Sequence, residues 1–85
     1  MPYIKQWRRE QLDVGADPIN AGELNYLYTK IDEKYTQKMG LKYQVQNDIA
    51  GAHLNCYMER YRRVIGPYED IKIEENGDVY ENNIH

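Results

Sequence analysis

The sequence predicts a mainly α fold, an antiparallel αα-hairpin with an N-terminal arm and a short C-terminal hairpin or turn, assembled as a homo-oligomer. Three observations point there. The 23-residue stretch Tyr43–Ile65 contains no proline, closes on Gly66-Pro67 and repeats its apolar residues at helical spacing. A second helical pattern runs from Asn20 to Met39, and the connection through Gly40 is so short that the two helices should lie antiparallel. Finally, the long stretch carries two apolar stripes. Val45, Ile49, Ala52 and Cys56 form one, and Ala50, Leu54, Tyr57, Tyr61 and Ile65 the other. A helix packed on one neighbour needs an apolar arc of only about 100°, so one stripe is expected to meet the preceding helix and the other a second chain.

The arm, residues 1–19, begins extended at Pro2 and offers a short helix around Gln6–Asp13. Trp7 and Leu12 are expected to pack, Tyr3 and Ile4 to cover the end of the core with Trp7, and Arg8 and Arg9 to stay in water. An anion held by Lys5, Arg8 or Arg9 is the functional alternative. Gly15-Ala16-Asp17-Pro18 reads as a turn. Asn20 is the expected N-cap, with Glu23 reaching back in a reciprocal capping box and Ile19 as the staple residue. Leu24, Leu27, Tyr28, Ile31, Tyr35 and Met39 define the buried face of this helix. Gly40 is expected to end it in a left-handed conformation, with Leu41 closing the cap.

Gly51, in the middle of the long helix, costs about 1 kcal/mol relative to alanine and suggests a close approach by a helix or a ligand. Gly66-Pro67 is expected to stop that helix. Within residues 66–85, Asn76-Gly77 between Ile71/Ile73 and Val79/Tyr80 predicts a β-hairpin; a helical turn through Pro67–Glu75 ending at Gly77 is the alternative. The last residues, ENNIH, are expected to fray.

Eighty-five residues make one domain, 1–85, with a thin core. There is no Phe, one Trp and nine Tyr, and tyrosine rings favour interfaces and pockets where one end stays polar. The single Cys56 excludes an intrachain disulfide, and no Cys/His spacing resembles a zinc site, so oligomerisation is the expected source of stability. The lack of a signal-like segment, of a long apolar run and of paired cysteines suggests a cytoplasmic location. Net charge is −3, unevenly spread. Residues 1–65 hold ten Lys/Arg against eight Asp/Glu, and residues 66–85 hold one against six. That positive charge is too small for binding extended nucleic acid but sufficient for one or two phosphates.

Local chemistry is sparse. His53 and Cys56, three residues apart, are read as a satisfied core histidine beside a structural thiol, because nothing marks the thiol as activated. No metal-ligand pattern or Gly-rich phosphate loop is present, so neither catalysis, a cofactor nor a metal is expected. Arg60, Arg62 and Arg63 form the densest cationic group. Their position near a helix C-terminus suits the dipole; beside Tyr57 and Tyr61 they also suit a phosphate and a stacked base. The candidate ligand residues are accordingly Asn25, Tyr26, Asn47, Asn55, Tyr57, Glu59, Arg62 and Arg63.

The runs MPYIKQ, GELNY, NDIAGA, ERYRR, PYED and IEENGDVY, spread over nearly the whole chain, resemble a family of short phage and prophage proteins carried as a domain of unknown function. Cys56-Tyr57-Met58 and the surroundings of Trp7 depart from that pattern. The protein is also similar in kind to phage sponges that sequester nucleotide immune signals. This likeness implies an anti-defence protein of an infected bacterial cell that binds a cyclic ADP-ribose-type or cyclic oligonucleotide messenger without cleaving it. An interaction module that inhibits a host protein and a small hydrolase of such nucleotides are the alternatives.

Overall fold

A computed structural model describes residues 4–80; the expectations for Pro2, Tyr3 and the ENNIH end lie outside the described residues. The chain is mainly helical, with α1 (Gln6–Asp13), α2 (Ala21–Met39), α3 (Tyr43–Arg60), a π-helical segment (Tyr61–Ile65) and α4 (Gly66–Asn76). There is no strand among the described residues. The chain forms two compact units, 1–49 and 50–85, whose boundary falls inside α3.

In the first unit, α1 packs on α2. Leu12 is buried, as its place in the arm predicts, whereas Trp7 is 59% exposed. Asn20 caps α2 by accepting from the Glu23 N–H at 2.9 Å. The return half of the expected capping box is absent. Glu23 instead accepts from the Ile19 N–H (3.1 Å) and pairs with Arg8, because a guanidinium within reach is a stronger donor than a neighbouring amide. Ile19 is largely exposed and makes no staple.

α2 ends at Gly40, whose φ of 97° is positive as expected while its ψ of 156° is extended. This combination is essentially glycine-only. Its N–H donates to Thr36 O at 2.7 Å, and Leu41, 84% exposed, plays no part in the cap. At the start of α3, Val45 is buried and Gln46 Nε2 donates to Thr36 Oγ1 at 3.1 Å. The helix-on-helix packing in this unit is that of α1 on α2.

Among the described residues, most of the expected buried face of α2 is exposed, Leu27 being intermediate. Leu24, Tyr28, Ile31, Tyr35 and Met39 are all at least 39% exposed. On α3 the stripe residues Leu54, Tyr57, Tyr61 and Ile65 are likewise exposed, and so are His53 and Cys56, which corrects their reading as core residues. Nothing lies within 4 Å of the position a side chain would take at Gly51, so no close approach explains that glycine.

Gly66-Pro67 does not stop the helix. Pro67 has no N–H to offer the Arg63 carbonyl, and in a regular α-helix its ring would crowd that oxygen. The chain widens instead. The Gly66 N–H reaches back five residues to Tyr61 O, giving a π-helical turn through Tyr61–Ile65. Pro67 then lies in the first turn of α4, where its missing donor is not needed. The expected β-hairpin is therefore absent among the described residues, and the alternative, a helical segment ending at Gly77, is the one formed, over Gly66–Asn76. Gly77, with φ 85° and ψ 157°, ends it in the conformation used at Gly40.

Candidate functional site

The second unit carries an open groove on the C-terminal half of α3 and the π segment, lined by Asn55, Cys56, Glu59, Arg60, Arg63 and Val64. Successive helical turns put these residues on one face. Asn55, Glu59 and Arg63 are thus three of the sequence-predicted residues that the structure brings together. Arg60, Cys56 and Val64 complete the lining; of these only Arg60 was legible beforehand, as part of the cationic group.

Glu59 takes both remaining guanidiniums. Arg62 Nη2 donates to Glu59 Oε2 at 3.0 Å and Arg63 Nη1 to Glu59 Oε1 at 3.1 Å. All three side chains are more than half exposed. Exposed pairs of this kind contribute about 0–1 kcal/mol each. Tyr57 and Tyr61 stack with ring centroids 6.2 Å apart and planes 10° from parallel. The Tyr61 hydroxyl donates to Glu69 Oε1 at 2.7 Å, and that bond holds its pKa above the usual phenol value. The stack is therefore braced from α4 across the π segment.

The remaining predicted residues, Asn25, Tyr26 and Asn47, belong to the first unit. The Tyr26 hydroxyl donates to Asp13 Oδ1 at 2.7 Å, which raises its pKa, and Lys30 Nζ lies 5.8 Å from its ring centroid. Tyr26 thus ties α1 to α2. Asn25 is exposed on α2, its carbonyl accepting from Thr29 Oγ1 at 2.9 Å, and Asn47 is exposed near the start of α3.

The most enclosed polar group was missed in the sequence. Arg8 donates through Nε to Glu23 Oε2 (2.9 Å) and through Nη2 to Oε1 (2.8 Å), a two-pronged pair whose side chains are only 17% and 7% exposed. Arg8 also donates to Asp17 O at 2.8 Å and Gln11 Oε1 at 3.1 Å. The hydrogen bond from Arg8 holds the Glu23 carboxyl below the usual carboxylate range, and Glu23 in turn raises the Arg8 pKa. With its donors so engaged, Arg8 is a structural clasp between α1 and the N-terminus of α2. It does not stay in water as expected, nor is it available to an anion. No local pattern announces a pair fifteen residues apart. An open hollow lined by Trp7, Ile19 and Lys5 lies over this clasp.

Among the described residues, no group of three or more His, Cys, Asp or Glu is placed to hold a metal ion, and no helix is long and apolar enough to cross a membrane. The sequence pattern of a family described as "Domain of unknown function (DUF6899)" matches residues 1–79. The chain belongs to this family. Comparison with curated proteins and with solved structures gives no match. Membership of the DUF6899 family fits the expectation of a domain of unknown function over nearly the whole chain and assigns neither a source nor a chemistry to any residue.

Proposed function

We propose that this DUF6899 protein is a self-assembling binding protein that captures a small nucleotide without transforming it. The observation that carries assembly is the uncovered apolar surface. Leu12 and Val45 are the buried apolar side chains of the described chain, while the face of α2 and the second stripe of α3 remain in solvent. An apolar surface of this extent on a small protein marks an interaction site, and a small domain with so thin a core needs association to be stable. Copies packed through these faces would bury apolar surface that the single chain leaves in solvent.

Nucleotide capture is supported by what that groove offers. Arg60 and Arg63 supply phosphate donors and Asn55 an amide edge; the Tyr57–Tyr61 stack is a π surface outside the groove lining. The reading extends to a phage anti-defence role, in which the ligand is a cyclic ADP-ribose-type or cyclic oligonucleotide messenger in an infected bacterial cytoplasm. Incubation of the protein with such messengers, followed by denaturation and analysis of the released ligand, tests it. Intact ligand recovered from the protein fraction is the expected result; altered ligand would identify a hydrolase instead. A second reading, a module that binds and inhibits a host protein, is favoured by the Glu59 pairing of Arg62 and Arg63. It predicts no nucleotide in the protein fraction.

A further inference from the structure

We propose that α4 of one copy docks on α2 of a second copy, its acidic edge against a lysine row. The inference rests on the oligomeric reading above and adds which surfaces meet. On α2, Lys30, Lys34 and Lys38 recur every four residues and all are exposed. At 100° per residue they share one side of the helix with Leu27 and Ile31, and Ile31 is 65% exposed. Asp32 lies on the far side of α2 and Glu23 is held by Arg8; Glu33 is a neighbour of Lys30 at i,i+3 spacing, and Lys34 and Lys38 have no acid three or four residues away within α2.

On α4, Asp70 and Glu74 are also four residues apart and exposed. Ile71 and Ile73, 54% and 39% exposed, flank them on either side. The basic residue of α4, Lys72, lies on the opposite side, where it pairs with Glu75 at 3.1 Å and covers the Tyr68 ring. The acidic edge is therefore left with an apolar border and no lysine beside it. Residues four apart on a helix are separated by about 6 Å along its axis, so Asp70 and Glu74 match the repeat of two neighbouring lysines. The charge division of the chain, basic through residue 65 and acidic beyond it, gives the same complementarity between copies. Each copy offers both surfaces, so every copy can take part in the contact with either helix.

The test is a charge swap read by sedimentation equilibrium, with circular dichroism to establish that each variant is helical. Lys34→Glu and Glu74→Lys should each weaken self-association by about tenfold or more, since like charges are then brought together at the interface. The double variant should return to within about threefold of the wild type, because the attraction is restored with its direction reversed. Raising the salt concentration should weaken the wild-type assembly through screening. Singles that associate as tightly as wild type, or a double variant that merely adds two losses, would overturn the docking while leaving the oligomer standing. A wild-type chain that is monomeric at micromolar concentration would overturn both. Lys30→Glu, combined with Asp70→Lys, repeats the test should either first variant fail to fold.

Discussion

Ile31 measures how much of the apolar face of α2 is buried by assembly. It is 65% exposed in the single chain, and complete burial of an isoleucine side chain contributes roughly 1.5–3 kcal/mol. If association covers what the chain leaves open, roughly 1–2 kcal/mol per copy comes from the interface, or roughly 2–4 kcal/mol for a two-fold dimer that uses the residue twice. Ile31→Ala should therefore raise the dimer dissociation constant by roughly thirty- to several hundred-fold. Helicity at high protein concentration should persist, since alanine is the better helix former. Sedimentation equilibrium over a dilution series reads the dissociation constant directly. A surface residue with no partner would change stability by less than about 0.5 kcal/mol. Wild-type association by Ile31→Ala would refute the assignment of this face to an interface.

Other perturbations separate local from functional roles. Gly40→Ala forces a side chain into a glycine-only conformation and should cost about 1–3 kcal/mol, seen as a lowered Tm; the nearest side-chain atom, Lys42 Cε at 3.5 Å from the added carbon, is an ordinary contact, so the loss is dihedral strain. The Glu23 carboxyl titrates below its ordinary value in the folded chain, chiefly through Arg8. Its contribution is therefore present above the ordinary carboxylate pKa and lost as pH falls through the folded value. Glu23→Gln should flatten the loss of Tm on acidification relative to wild type. Glu59→Gln removes the acid that occupies Arg62 and Arg63, so calorimetry should show tighter binding of phosphate-bearing nucleotides; unchanged affinity would remove those arginines from the site.

What the sequence disclosed was local. The arm helix at Gln6–Asp13, the Asn20 cap and the stop at Gly40 follow from neighbouring residues and appear where those residues predict them. The Pro67 region did not, because the rule that proline ends a helix assumes an unbroken α-helical hydrogen-bond pattern, and one π-helical turn removes that assumption. Asn76-Gly77 misled for a related reason. A glycine with positive φ serves a tight hairpin and a helix end equally, and only the surrounding chain decides between them. The Arg8–Glu23 clasp depends on two segments meeting across the Gly15–Pro18 turn, and no periodicity within either helix encodes that meeting. Burial of the α2 stripe was predicted from amphipathicity, which indicates that a face needs covering without saying what covers it. Within the candidate site, helical spacing was enough to align Asn55, Glu59 and Arg63, but not to reveal that Glu59 already holds two of the arginines.

The central claim, a nucleotide-capturing oligomer, is tested most directly by native mass spectrometry of the wild-type protein after incubation with cyclic dinucleotides and cyclic ADP-ribose isomers. The account predicts a multiple of the 10.1 kDa chain carrying added mass equal to one or more intact ligands. A bare 10.1 kDa monomer under every ligand condition would contradict it.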